Sequence, residues 1–339
     1  MMKRNVLVIG GTGAMGIYLV PELLQMGYQV DVVSLDSRES TNPDLRYIVG
    51  DATDMDYMKT VLARRYDAIV DFMIYHADRF REWYRLLLDS TDHYIYLSSY
   101  RVYADLEHPI RETSPRLLDV SQDAEFLAAA DDEYSLYKAI GEDVLRASVY
   151  RNWTIIRPAI TYSSRRFQLV TLEMPLTVGR AFLGKPVVLP IEARNVQGTM
   201  SWAGDVGRMI ARLVLNEKAL GETYTVSTAE HHTWGEIADY YRDLTGMKVI
   251  WVGMEDYLKS FCNQATRKIR GARWQLQYDR LYNRIIDNSK ILDAVGMKQN
   301  ELMPLYDGLK REIDQLPREL FAPETVDVVD LWLKEQNFV

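Results

Sequence analysis

Residues 6–16 have the sequence VLVIGGTGAMG, and this stretch decides the fold of the chain. Its first four residues are apolar and mostly β-branched, which predicts a strand buried on both faces. The glycines end that strand, and residues 14–26 then carry apolar side chains at helical spacing until Gly27, which is typical of a helix end. A second apolar run, Tyr28 to Leu35, predicts the next strand. The stretch therefore predicts a strand–turn–helix–strand unit with a glycine-rich turn.

The glycine-rich turn predicts a dinucleotide site of the Rossmann type. Glycines let the backbone approach a pyrophosphate, and the helix N-terminus offers N–H groups and a positive dipole end to the phosphates. Asp36 follows the second strand, twenty residues after Gly16, where a carboxylate binds the adenosine ribose. Asp36 favours NAD because a carboxylate repels a 2′-phosphate, whereas Arg38 could accept that phosphate of NADP if Asp36 turned away.

The rest of the first half continues the alternation of strands and helices. Further apolar runs span Arg46 to Val49, Ala68 to Met73, Tyr94 to Leu97 and Trp153 to Ile156. This order predicts an α/β fold with a doubly wound parallel sheet. We expect an NAD-binding domain over residues 1–162, to which residues 196–228 return, a smaller α/β substrate-binding cap over 163–195 and 229–304, and a helical tail over 305–339. Residues 200–215 are expected to form a loop and then a helix.

Composition excludes several classes of protein. The formal charge of −8 over 339 residues argues against a general nucleic-acid coat, which needs a basic surface. The single cysteine, Cys262, rules out an intrachain disulfide and fits a reducing cytoplasm. No apolar run approaches the length of a membrane span, and the five histidines lack metal-ligand spacing. We expect a cytoplasmic protein without a metal.

Two polar segments follow strands at positions where such a fold places its chemistry. Residues 96–103 (YLSSYRVY) come after the fifth strand, and residues 134–138 (YSLYK) open a helix. Tyr134 and Lys138 are one helical turn apart, so their side chains share a face. An ammonium beside a phenol stabilises the phenolate and lowers its pKa from about 10. The pair therefore predicts an activated tyrosine.

Taken together, GGTGAMG, GDA, LSSYRVY, YSLYK and RPAITY resemble the extended short-chain dehydrogenase/reductase superfamily, in particular the NAD-dependent epimerase/dehydratase family. The resemblance covers nearly the whole chain. It implies that Tyr134 is the acid/base, that Lys138 lowers its pKa and holds the nicotinamide ribose, and that Ser99 bonds the reacting hydroxyl or carbonyl. It also implies reversible hydride transfer on a sugar or sugar-nucleotide-like substrate, by an epimerase, a dehydratase or a reductase.

The turn and the resemblance together give a set of expected cofactor contacts. These are Gly10, Gly11, Thr12, Gly13, Ala14, Met15, Gly16, Asp36, Ser37, Arg38, Asp51, Ala52, Phe72, Ser98, Tyr134, Lys138 and Pro158. Pro158 would lie beside the nicotinamide. For Asp51 two interpretations stay open, because its carboxylate could lie near the adenine amino group or simply cap the following helix.

The sequence also departs from the family pattern. Ile160 stands where sugar-nucleotide epimerases usually have an asparagine that touches the substrate diphosphate, and Gly198 stands where a phosphate-binding arginine is usual. Arg194, Arg280 and Arg284 are candidate replacements. The short stretch from Ile74 to His93 resembles atypical members near the chloroplast stem-loop-binding proteins.

That branch supplies an alternative hypothesis, a nucleotide-dependent RNA- or protein-binding module without turnover. Residues 259–284 interleave basic and aromatic side chains, a pattern that can bind single-stranded nucleic acid. The negative total charge and the complete set of Ser99, Tyr134 and Lys138 favour the enzyme. Family members often dimerise through two helices, here Asp78–Leu88 and Ser135–Val149, which both carry apolar stripes, so we expect a homodimer.

Overall fold

The structure is a computed structural model that describes residues 3–262, 266–321 and 328–338, without the side chains of 266–268. The chain divides into two compact units. The first contains residues 1–161, 201–229 and 287–303, and the second contains residues 162–200, 230–286 and 304–339.

A seven-stranded parallel sheet forms the centre of the first unit. Its strands are β1 (Asn5–Ile9), β2 (Gln29–Ser34), β3 (Leu45–Val49), β4 (Tyr66–Asp71), β5 (Thr91–Leu97), β6 (Trp153–Pro158) and β10 (Glu222–Val226). Their order across the sheet is β10-β6-β5-β4-β1-β2-β3. The sequence prediction of a Rossmann-type α/β fold is confirmed. The register brings Ile9 beside Asp71 and Leu97 beside Ile156, so the carboxyl ends of the central strands meet at one edge.

Helices cover both faces of this sheet. The helices of the first unit are α1 (Gly16–Gln25), α2 (Met55–Leu62), α3 (Ala77–Asp89), α4 (Leu117–Val120), α5 (Ala124–Ala128), α6 (Tyr134–Ala147), α8 (Ala203–Leu213) and α12 (Ser289–Val295). Strand β1 alternates between the faces: Val6 and Val8 pack with α1, α8 and α12, whereas Leu7 and Ile9 pack with α2, α3 and α6. The side chains of Val6, Leu7, Val8 and Ile9 are all buried this way, which explains the uninterrupted apolar sequence of these four residues.

The second unit consists of short strands and helices. Its strands are β8 (Val187–Pro190), β11 (His231–Thr233) and β12 (Val249–Val252), while β7 (Ile160–Tyr162) and β9 (Gln197–Trp202) lie where the chain passes between the units. Its helices are α7 (Val178–Phe182), α9 (Trp234–Thr245), α10 (Met254–Phe261), α11 (Thr266–Gln275), α13 (Leu305–Asp314) and α14 (Val328–Glu335). Strand β8 pairs parallel with β12, and β9 pairs antiparallel with β11.

Three sequence-based boundaries differ from the structure. Residues 200–202 belong to β9 and are not a loop, because Met200 and its neighbours continue a strand that pairs with β11. Residues 287–303 belong to the first unit and not to the cap, because α12 packs on α8 and β10. The described residues of the expected tail, 305–321 and 328–338, belong to the second unit. In the described part of the chain no helix combines the length and the apolar character needed to span a bilayer.

Candidate active site

The glycine turn after β1 has a shape that larger residues would disrupt. Gly10 has a φ of +75°, in the left-handed region. A Cβ on Gly16 would lie 2.3 Å from the carbonyl oxygen of Gly11, and one on Gly11 would lie 2.9 Å from the side chains of Val8 and Val32. The turn therefore requires glycine at these positions so that α1 can pack close to the sheet.

The same turn leaves backbone donors at the start of α1. The residue before the helix, Met15, does not cap it with its side chain, because a thioether is only a weak hydrogen-bond acceptor. The N–H groups of Ile17, Tyr18 and Leu19 donate to the backbone oxygens of Gly13 and Met15, which leaves the N–H groups of Ala14, Met15 and Gly16 as the donors of this turn for an anion. Gly13 is exposed at the tip of the turn, between Thr12 and Ala14, and a Cβ there would approach only the Gly10 oxygen, at 3.4 Å. This donor set fits a pyrophosphate.

Asp36 lies two residues beyond β2, on the loop that would face an adenosine ribose. Its backbone N–H donates to Ser34 Oγ at 3.1 Å, and one of its carboxylate oxygens lies 3.4 Å from an Arg38 guanidinium nitrogen. About half of the Asp36 side chain is exposed, and Ser37 beside it is exposed too. Asp36 and Arg38, the two residues that bear on the choice between NAD and NADP, thus form one partly exposed ion pair.

The structure separates the two interpretations of Asp51. Its carboxylate accepts hydrogen bonds from the backbone and side chain of Thr53, at 2.8 and 2.7 Å, and both bonds lower its pKa. Helix α2 begins after Asp54, and it is Asp54 that caps the helix. The capping interpretation of Asp51 is therefore wrong. Asp51 is exposed and Ala52 beside it is buried.

Phe72 and Pro158 lie at the carboxyl edge of the sheet. The Phe72 N–H donates to the Ile9 oxygen at 3.0 Å, and the Phe72 Cβ lies 3.5 Å from the place of a Cβ on Gly10. Pro158 ends β6, is buried, and is paired in register with Val226 of β10. Phe72 thus adjoins the glycine turn.

The two serines after β5 have different partners. Ser98 is buried, and its hydroxyl donates to Glu142 Oε1 at 2.6 Å. Ser99 Oγ accepts the backbone N–H of Arg101 at 3.2 Å. A hydroxyl that accepts one hydrogen bond still has its own proton to donate. The two serines therefore differ. Ser98 donates its proton to Glu142 of α6, whereas the bond from Arg101 leaves the proton of Ser99 for another acceptor.

Tyr134 and Lys138 come together as their spacing predicts. The Lys138 ammonium nitrogen lies 5.8 Å from the centroid of the Tyr134 ring. Lys138 is completely buried and donates to the carbonyl oxygens of Leu97, at 2.6 Å, and Met73, at 3.4 Å. Burial lowers the pKa of Lys138 to about 8, although the carboxylates of Asp71 and Glu142 oppose the shift. A buried cation thus lies close to the phenol.

Sequence reasoning missed a buried acid on the same helix. Glu142 is completely buried and binds Arg157 of β6 through two hydrogen bonds, of 2.7 and 2.6 Å. Burial alone would raise the pKa of Glu142, but the Arg157 guanidinium outweighs it and lowers that pKa to about 2. A signal was present, because Tyr134, Lys138 and Glu142 are spaced four residues apart on one helix face.

The profile of the NAD-dependent epimerase/dehydratase family matches residues 6–227 of this sequence. The chain belongs to that family. The match covers the glycine turn, both serines, the Tyr134–Lys138 pair and Pro158. A comparison with curated protein sequences finds no significant match.

Solved structures with similar folds include epimerases and dehydratases. An epimerase from Methanothermobacter thermautotrophicus is 16% identical, covering 99% of this chain and 94% of its own, with a TM-score of 0.68. A dTDP-glucose 4,6-dehydratase from Bacillus anthracis, in complex with NAD, is 16% identical over 99% of this chain and 98% of its own (TM-score 0.67). A UDP-glucuronic acid 4-epimerase from Bacillus cereus, in complex with UDP-glucuronic acid and NAD, is 15% identical over 91% and 98% (TM-score 0.66).

The second unit explains one departure from the family pattern. A Cβ on Gly198 would lie 2.9 Å from the ring of Trp234, so no larger side chain fits there without a shift. Two of the three replacement arginines are buried: Arg280 and Arg284 both bind Asp279. That burial argues against them as phosphate ligands, whereas Arg194 is exposed and lies over the ring of Trp251, 5.6 Å from its centroid.

The basic segment of residues 259–284 is largely neutralised by acids or folded against aromatic rings. Lys259 lies 3.6 Å from Asp256, and Arg273 forms two hydrogen bonds with Glu255. Arg270 covers the ring of the buried Trp274 at 4.9 Å. The side chains of Arg267 and Lys268, and residues 263–265, lie outside the described residues. The described part of the segment does not favour the nucleic-acid hypothesis.

Proposed function

We propose that the chain is an NAD-dependent enzyme that acts on a sugar or sugar-nucleotide-like substrate by reversible hydride transfer, with Tyr134 as the acid/base. One observation carries the proposal. The Tyr134 ring lies beside the buried Lys138 ammonium, and Lys138 is itself bonded to Leu97 at the carboxyl end of β5. Burying an ammonium is costly, so the arrangement is more easily explained by chemistry than by stability.

The cofactor fits the residues present. The Gly10–Gly16 turn and the first turn of α1 would hold the pyrophosphate, and Asp36 would accept the hydroxyls of the adenosine ribose. Bound NAD supplies the hydride acceptor and donor. Two of the structurally similar enzymes hold NAD, which supports the same cofactor here.

Two side chains would then act on the substrate, Tyr134 and Ser99, and Lys138 would assist Tyr134. The Tyr134 phenolate takes the proton of the hydroxyl being oxidised and returns it when the carbonyl is reduced, which is general acid–base catalysis. The positive charge of Lys138 favours the phenolate form and its ammonium would contact the nicotinamide ribose. Ser99 donates its proton to the reacting oxygen and so orients the substrate.

A homodimer remains a prediction. The apolar stripe of α3 that suggested it contains Phe80, Trp83 and Leu87, and all three pack in the core beneath the helix. The outer face of α3 carries charged residues instead, among them Arg79 and Arg85. The α3 side of a dimer through α3 and α6 would therefore be polar, and the mass of the protein in solution tests whether the dimer forms.

The proposal is tested by what the protein binds and by the variant Tyr134→Phe. Native mass spectrometry of the purified protein should detect NAD, and a sugar nucleotide beside it would identify the substrate class. With that substrate, Tyr134→Phe should lose turnover by at least a hundredfold while its affinity for NAD stays nearly unchanged. Near-normal turnover in Tyr134→Phe would overturn the proposed role of the phenol.

A further inference from the structure

Arg101 lies over the ring of Tyr134. The central carbon of its guanidinium is 4.9 Å from the ring centroid, closer than the Lys138 nitrogen at 5.8 Å. Arg101 is in the turn Tyr100–Val102, which follows the two serines. Two cations from different elements therefore lie near one phenol ring.

Arg101 is held firmly in this position. Its backbone N–H donates to Ser99 Oγ, and its guanidinium donates to Glu133 Oε1 at 3.2 Å. Glu133 is buried and caps α6, where the same oxygen accepts the N–H and the hydroxyl of Ser135 at 3.4 and 3.3 Å. Only 14% of the Arg101 side chain is exposed. The cap of α6 thus fixes the guanidinium where the helix presents Tyr134.

The surroundings of the ring decide what this charge does. The titratable and charged groups near it include Arg101, Glu133, Lys138, Tyr137 and Tyr96. Burial raises the pKa of the Tyr96 and Tyr137 phenols, so both stay neutral near pH 7. The Glu133 carboxylate offsets part of the charge on Arg101, but the guanidinium is the group stacked on the ring.

Lys138 and Arg101 differ in the pH range over which they stay charged. With a pKa of about 8, Lys138 loses its charge in the mildly alkaline range, and its effect on the phenol fades there. A guanidinium keeps its charge throughout that range. A cation on the ring face favours the phenolate over the neutral phenol, because the ring of the anion is more negative.

We propose that Arg101 is a positioning residue whose permanent charge stabilises the phenolate of Tyr134 together with Lys138. The inference rests on the proposed function and deepens it. It assigns part of the activation of Tyr134 to a residue outside the Tyr134–Lys138 motif.

The test needs no substrate, because tyrosinate absorbs ultraviolet light differently from tyrosine. The apo protein is titrated from neutral pH to about pH 10 and the curve of Tyr134→Phe is subtracted, which isolates Tyr134 among the 22 tyrosines. We expect a midpoint below the ordinary range of phenols. Arg101→Met should raise that midpoint by roughly one pH unit, and Arg101→Lys by clearly less. Arg101→Gln is a second neutral variant in case Arg101→Met does not fold.

Arg85 provides the matched control. It lies over the ring of Tyr84 at 5.7 Å on the exposed face of α3, so Arg85→Met should leave the Tyr134 midpoint unchanged. If the parent protein lacks a midpoint below the ordinary phenol range, the acid/base role of Tyr134 in the proposed function fails. If that midpoint is present but does not move in folded Arg101→Met or Arg101→Gln, only the role of Arg101 is overturned.

Discussion

Glu142 and Arg157 form a buried ion pair that joins helix α6 to strand β6. Both guanidinium-to-carboxylate contacts are short, 2.7 and 2.6 Å, and at most 1% of either side chain is exposed. The same carboxylate accepts the hydroxyl of Ser98 at the end of β5. The pair therefore links three elements around the Tyr134–Lys138 motif.

The first prediction concerns this pair. Glu142→Gln keeps the shape of the side chain but leaves the Arg157 charge buried without its carboxylate, which costs about 3–5 kcal/mol in the free energy of unfolding. Asp143→Asn is the control on the same helix, because Asp143 is 46% exposed and its bond to Arg116 should contribute about 1 kcal/mol or less. Urea unfolding of both variants measures the difference. Equal losses would show that burial of the pair does not matter.

The same prediction has a pH dependence. The folded-state pKa of Glu142 is lowered from 4.5 to about 2, so the stability it contributes is complete above about pH 4.5. It is lost as the pH falls through about 2. The gap in stability between the parent and Glu142→Gln should therefore narrow over that acidic interval.

How far the sequence predicts the molecule depends on whether an interaction is local. The glycine turn, the alternation of strands and helices, and the Tyr134–Lys138 spacing are all local patterns. They predicted the turn between β1 and α1, the parallel sheet, and the shared face of α6. The partner of Glu142 lies fifteen residues away on β6, and only the register of the strands brings it into reach. The glycine at position 198 likewise cannot be explained by a local pattern, because the residue that excludes a larger side chain there is Trp234, which is distant in sequence.

A second prediction concerns the buried ammonium. Between about pH 8 and the usual lysine pKa near 10.5, the unfolded chain binds a proton at Lys138 that the folded chain does not. The contribution of Lys138 to the free energy of unfolding therefore rises with pH across this interval, by a few kcal/mol if the shift is fully expressed. In Lys138→Met, which removes the charge and keeps the length, this rise should be absent. Urea unfolding at both ends of the interval, on parent and variant, checks the sign, and a parallel pH dependence would contradict it.

A third prediction separates the shape of the glycine turn from its binding role. Gly16→Ala places a Cβ 2.3 Å from the Gly11 oxygen, so the turn must distort and the protein should lose thermal stability. Gly13→Ala meets only an ordinary contact of 3.4 Å and should fold as the parent does. Its methyl group would nevertheless occupy the space where the pyrophosphate approaches, so we expect NAD affinity to fall at least tenfold. Calorimetric titration measures the NAD affinity of Gly13→Ala, and thermal unfolding checks that its stability is unchanged. If Gly13→Ala binds NAD as tightly as the parent protein, the pyrophosphate does not bind at this turn.

A fourth prediction concerns the substrate. A common UDP-hexose should be a poor ligand, because Ile160 offers no polar contact and Gly198 has no room for an arginine beside Trp234. A thermal-shift screen in the presence of NAD should compare UDP-glucose and UDP-galactose with simpler sugars and sugar phosphates. Strong stabilisation by either UDP-hexose would show that another cation, with exposed Arg194 the first to test, binds the diphosphate.

The last prediction concerns the choice between NAD and NADP. Asp36 should bind the 2′-hydroxyl of NAD and repel the 2′-phosphate of NADP, so NAD should bind more tightly. The 3.4 Å contact with Arg38 means that the carboxylate also holds the guanidinium that the sequence suggests for that phosphate. Asp36→Ala removes the repulsion and releases the guanidinium, so the ratio of NAD to NADP affinity should fall at least tenfold. In the double variant Asp36→Ala with Arg38→Ala, affinity for NADP should drop again, because the phosphate loses its cation. Calorimetric titration of all three proteins with both dinucleotides decides it, and equal or tighter NADP binding by the parent would show that Arg38 dominates the site.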